Sequence, residues 1–162
     1  MKKTIAIMLA LLIAATALCA CSPTKLLEKA IKKETGQDIK IDKDGDTVTL
    51  QDKDGESVMI SSGDDIKWPA DKMGRLPELK GNITSALATD KGCVVLLDNV
   101  NKADAEAYIQ KLKDMNLTEV TEMTTDLLLG YSGTIDNGQI AFTYYNSDEE
   151  TGSASISYGN SN

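Results

Sequence analysis

Hydrophobic positions change rhythm several times along the chain, and each rhythm predicts an element. Lys2 and Lys3 precede an almost wholly apolar run, Thr4 to Leu18, that ends in small residues. A basic start, an apolar run and a small-residue end are the three parts of a secretory signal peptide. A bilayer-spanning helix needs about 20 apolar residues, so this run is short for that role. Beyond it, Leu26, Leu27, Ala30 and Ile31 fall on one helical face, with Lys25, Glu28, Lys29, Lys32 and Lys33 on the other. Pro23 suits the first turn and Gly36 the stop, so a short amphipathic helix is predicted.

The rhythm then shortens to two. Ile39, Ile41, Val48, Leu50, Val58 and Ile60 alternate with polar neighbours. Asp44-Gly45 and Asp54-Gly55 lie between them as hairpin turns, which predicts a three-stranded meander. Residues 62–80 carry Pro69 and Pro77 and keep no period, so they read as a connector. From 81 onward two strands are expected before a helix that Asn101 caps. Ala105, Tyr108, Ile109, Leu112 and Met115 recur at helical spacing, and Asn116 ends the run. Strands are expected at 117–123, 127–134, 139–146 and 153–158, with Asn137-Gly138 as a turn. The predicted class is α+β: an antiparallel sheet covered by one helix in the order β-β-α-β-β-β-β, preceded by a short helix and a three-stranded β-meander. The expected divisions are a signal peptide over 1–20, the anchored cysteine and short helix over 21–36, the meander over 37–62, the connector over 63–80 and the α+β domain over 81–162.

Cysteines and charge sharpen this picture. Leu18-Cys19-Ala20-Cys21 is an aliphatic residue, two small ones and a cysteine. It closely resembles the lipobox of bacterial lipoproteins. The resemblance places the cut between Ala20 and Cys21 and a diacylglycerol on the Cys21 thiol. Two acyl chains hold a protein where one does not. Removing residues 1–20 leaves 142 of the 162, enough for one modest domain with an appendage. The whole chain has a formal charge of −8; losing Lys2 and Lys3 takes the mature chain to −10. Such a polyanion is a poor partner for nucleic acid, whose binding relies on Lys and Arg. Cys93 is then the one thiol left, at the head of the apolar run Cys93-Val94-Val95-Leu96-Leu97, and reads as a small buried hydrophobe.

Catalytic and metal chemistry find little support. The chain has no histidine, which removes the commonest general base and metal ligand. Asp42, Asp44 and Asp46 alternate as calcium ligands do. However, Gly45 comes one residue too early for an EF-hand, and Lys53 stands where the closing Glu belongs. No cofactor, metal site or catalytic residue is expected, and an enzyme is not. Candidate interaction residues are Trp68, the only tryptophan, and Tyr131, Tyr144, Tyr145 and Tyr158 on the later strands. Each also fits a packing role: the indole can pin the connector to the core, and the tyrosines can be half-buried in the sheet.

Glu34-Thr35-Gly36, the Asp-Gly hairpins, Trp68-Pro69 and Leu76-Pro77 behind a lipobox together resemble the uncharacterised lipoproteins of Gram-positive, Firmicutes-type gut bacteria. That family has no assigned function, so no active site is carried over. The resemblance implies a β-rich ectodomain, lipid-anchored on the extracytoplasmic face of the cell membrane, or at the outer membrane if the cell were Gram-negative. The expected function is a non-catalytic interaction module for an envelope protein or wall polymer. The alternative is a lipoprotein that captures a small ligand or solute.

Overall fold

Long antiparallel strands dominate the chain. The computed structural model describes residues 28, 32–33, 38–42, 46–51, 56–63, 65–147 and 150–160. Strand accounts for 58% of them, in nine antiparallel strands with one delimited helix. This corrects the expected class. The α+β arrangement, β-β-α-β-β-β-β behind a short helix and a meander, is replaced by a mostly β protein. Strand length is the reason. The fifth strand runs from Gly92 to Asn101, and the ninth from Thr151 to Asn160, beyond the 153–158 that the alternation predicts. Gly92, Asn101, Gly152 and Asn160 are poor strand formers alone. Pairing with neighbouring strands carries them into the ladder, as tertiary context commonly overrides β propensity.

The chain divides into two compact units, Met1–Met59 and Ile60–Asn162. In the first, β1 (Asp38–Ile41) pairs antiparallel with β2 (Thr47–Gln51), Ile39 opposite Leu50. Glu28, Lys32 and Lys33 are helical; the rest of the expected helix over 21–36 lies outside the described residues. The Glu28 carboxylate accepts from the Ile41 backbone N–H at 2.9 Å, and Lys32 pairs with Asp38. The unit boundary falls inside β3 (Ser57–Ser62). The turns at Asp44-Gly45 and Asp54-Gly55, and the signal peptide with Ala20 and Cys21, also lie outside the described residues.

The second unit is a sheet of β4 (Asn82–Thr89), β5 (Gly92–Asn101), β6 (Thr118–Thr124), β7 (Leu128–Ile135), β8 (Gly138–Asn146) and β9 (Thr151–Asn160), with α1 (Lys102–Asp114) between β5 and β6. Its spatial order is β4-β5-β9-β8-β7-β6. Asn101 caps α1, its side-chain oxygen accepting from the Ala103 N–H at 2.9 Å. Asp104 stands in the first turn and Lys111 and Lys113 in the last, as the helix dipole favours. The β7–β8 turn places Asp136 and Asn137 at φ 48° and 65°, with Ile135 opposite Gly138. Two positive φ values are what a type I′ hairpin turn needs, and Asp and Asn tolerate them.

The core lies on one face of this sheet. Val95, Leu97, Ile140, Phe142, Tyr144 and Ile156 meet the Ala105, Tyr108, Ile109 and Leu112 face of α1. The stretch 63–80 contributes to this core: Met73, Leu76 and Leu79 are all buried in it. Gly74 sits beside Met73 with φ 58°, and a Cβ there would meet the Tyr158 ring at 3.1 Å. A residue without a side chain is therefore needed for both conformation and space.

Tyr108 ties helix, sheet and connector together. Its ring stacks at a tilt on Phe142, centroids 5.0 Å apart, and its hydroxyl donates to the Pro77 carbonyl at 2.9 Å. Burial pushes its pKa well above the ordinary value. Above about pH 10 the unfolded chain ionises at this residue while the folded chain resists. The stability held by the neutral phenol is thus fully present below pH ~10 and falls as pH rises beyond it. Tyr108→Phe keeps the ring and removes the titration. Its melting temperature is expected to fall less than that of the wild type between about pH 9 and pH 11. Equal losses in thermal melts of the two proteins would place the alkaline sensitivity elsewhere.

Candidate functional site

The face of the β4–β9 sheet opposite α1 is exposed and has a consistent chemistry. Side chains alternate between faces along each strand, and directly paired residues share a face. The observed registers put Leu87, Val94, Ser157, Ala141, Ser132 and Thr121 in one row across the sheet. The neighbouring row is Ser85, Leu96, Ser155, Thr143, Gly130 and Met123. Tyr145 follows, opposite Leu128 on one side and Ser153 on the other. Each row crosses six strands, roughly 24 Å at about 4.8 Å per strand.

None of the side chains in these rows is charged, although 26% of the chain is. Of the seven large apolar side chains exposed among the described residues, four stand on this face. Leu87 is 41% exposed, Leu96 44%, Met123 54% and Tyr145 56%. Leu87 and Leu96 stand on β4 and β5 at one side and Met123 on β6 at the other, Tyr145 lies on β8 beyond Thr143, and Ser, Thr and Ala fill the rows on β9 and β8. The arrangement is two apolar margins with a hydroxyl stripe between them. A shallow depression of about 340 Å³ runs along part of it, lined by Ser132, Thr134, Gln139, Ala141 and Ser157 with Glu119 at the β6 edge. The Glu119 carboxylate accepts from the Thr134 hydroxyl at 3.2 Å.

The five aromatic residues proposed from sequence do not converge. Tyr131 and Tyr144 are 5% and 0% exposed and belong to the helix-facing core, so they offer no interaction surface. Their neighbours hold them there: the Lys113 ammonium lies 5.9 Å from the centre of the Tyr131 ring and pairs with Glu122 at 2.7 Å. Tyr158 is half-buried on the same side, its hydroxyl 3.1 Å from the Asn160 side-chain oxygen. Tyr145 alone reaches the open face. Adjacent strand residues point to opposite faces, so Tyr144 and Tyr145 are necessarily separated.

Trp68 stands apart from all four. It is half-buried against the core and, with Ile66 and Ile83, lines a cleft of about 500 Å³ beside the exposed side chains of Lys67 and Glu78. Cys93 is 2% exposed, and burial first, then the Asp71 charge, pushes its thiol pKa up. A thiol so placed is held in its unreactive protonated form. Among the described residues no group of three or more His, Cys, Asp or Glu is placed to hold a metal ion, and no helix is long and apolar enough to cross a membrane.

No family model, curated protein or solved structure matches the chain. The residues that sequence reasoning missed are Leu87, Leu96 and Met123. The available signal was the run of uncharged residues at alternate positions, Ala141 and Thr143 on β8 and Ser153, Ser155 and Ser157 on β9, in a chain otherwise dense in charge.

Proposed function

We propose that this protein is a bacterial lipoprotein, held at the extracytoplasmic face of a membrane by lipid on Cys21. Its ectodomain acts as a non-catalytic module that binds a partner in the cell envelope. The binding surface is the open face of the β4–β9 sheet. The observation that carries this reading is the gathering of exposed Leu87, Leu96, Met123 and Tyr145 on one face whose two rows carry no charge. Solvated sheet faces ordinarily alternate to polar and charged residues, and exposed apolar patches mark interaction sites. Leu18-Cys19-Ala20-Cys21 behind its apolar run supports the anchor.

A photo-cross-linking amino acid at Leu96, in the protein expressed in its own cell type, tests both halves. The expected result is a reproducible adduct that is lost when Cys21→Ala releases the protein from the membrane. The same probe at Ala107, on the exposed side of α1, is expected to give none. Equal yields from Leu96 and Ala107, or adducts indifferent to Cys21→Ala, would contradict the reading.

A further inference from the structure

We propose that the open sheet face binds an uncharged glycan, laid across the strands; this rests on the reading of that face as the binding surface. Charge selects the occupant. The chain carries −8 overall, so an anionic polymer meets long-range repulsion. Neither row carries a charge for a cationic polymer to pair with, and Glu119, at the β6 edge, already accepts from the Thr134 hydroxyl. A second copy of the chain meets the same repulsion. A neutral partner meets neither penalty, and along the two rows there is no ion to desolvate.

Shape and chemistry agree with that choice. Ser155, Thr143 and Gly130 stand side by side in the central row, and their small side chains keep that part of the surface low. Hydroxyls both donate and accept, which matches a partner that presents hydroxyl and amide groups. Leu96 beside the stripe on β5, and Tyr145 on β8 two residues beyond Thr143, offer apolar contact of the kind sugar C–H faces make. An exposed phenol ring combines apolar area with a polar tip. A row of about 24 Å accommodates several pyranose rings in succession.

The test uses the full-length protein purified from membranes in neutral detergent. The probe is a neutral hexasaccharide of β-1,4-linked N-acetylglucosamine, with its de-N-acetylated, cationic form for comparison, and binding is read by titration calorimetry. Saturable binding of the neutral oligomer that persists at high salt is expected, whereas any attraction of the cationic one to the acidic chain is lost as salt is raised. Ser155→Asp puts a charge in the stripe and is expected to abolish binding. Leu96→Lys, at an exposed position, does the same without disturbing the central strands. Tyr145→Ala is expected to weaken binding about tenfold and Tyr145→Phe much less. Ala107→Glu on α1 leaves it unchanged. Circular dichroism spectra matching the wild type confirm that each variant is folded.

Failure to bind the neutral oligomer while Leu96 still cross-links a protein would overturn the glycan and leave the binding surface standing. Concentration-dependent dimerisation that Leu96→Lys abolishes, without glycan binding, would assign the face to a second copy. No glycan binding together with no Leu96 adduct would remove the surface and the glycan together.

Discussion

Phe142→Ala is expected to destabilise the second unit by about 3–5 kcal/mol, the cost of emptying a large aromatic site in a packed core. Phe142 is 1% exposed and lies in the middle of β8, opposite Tyr131 on β7 and Ile156 on β9. Its ring also meets Tyr108 of α1. It thus joins three strands to the helix, and truncation leaves a cavity that rigid strands on either side cannot close. Domains of this size hold about 5–15 kcal/mol in all, so the loss takes a large part of the total. Urea unfolding followed by circular dichroism measures it. A change below about 1 kcal/mol would mean that α1 does not pack on this part of the sheet.

Gly152→Ala acts by the opposite route, overfilling a site that has no room. Gly152 is buried on β9, opposite Asn146 of β8 and Val100 of β5. A Cβ there falls on the Tyr145 carbonyl oxygen and lies 2.9 Å from two ring carbons of Tyr144. The first obstacle is backbone, which side-chain rotation cannot move, so the β8–β9 ladder itself must shift. A loss of about 3 kcal/mol is expected, the upper end for overpacking. Gly130→Ala is the matched control. Its Cβ meets nothing nearer than 3.6 Å, on the open face beside Met123, and its effect is expected to stay within about 0.5 kcal/mol. If Gly152→Ala melts with the wild type, the close approach of β9 to β8 described here does not exist.

The contrast between these glycines shows where sequence reading ran out. A strand pattern shows that residues alternate, not which face a helix will cover. The stripe Ala105, Tyr108, Ile109 and Leu112 was legible because a 3.6-residue period points one way over three turns. The Asn101 cap and the turn before Gly138 were legible because their chemistry is local. Residue type alone groups Tyr131 and Tyr144 with Tyr145, but only Tyr145 is exposed. The registers separate them: Tyr144 pairs with Leu129 and Ala154, and Tyr145 with Leu128 and Ser153.

Met73, Leu76 and Leu79 were illegible for another reason. They recur every third residue but across Pro77 and among charges, where neither a helix nor a strand is indicated, so only contacts distant in sequence reveal that they are core. The class was misjudged on similar grounds. Glycines, serines and asparagines at strand ends have no intrinsic claim to strand, and cross-strand pairing recruits them. The open face was half legible. Its Ser and Thr residues alternate visibly along the last strands, whereas Leu87, Leu96 and Met123 come onto one face only when β4, β5 and β6 are set beside β7, β8 and β9.

Anchoring is the claim on which place and function both depend, and mass spectrometry of the protein purified from its own membranes tests it most directly. The expected N-terminal residue is Cys21, carrying the mass of a diacylglycerol on its thiol. A chain that begins at Met1, or one that is cut elsewhere and bears no lipid, would contradict the account.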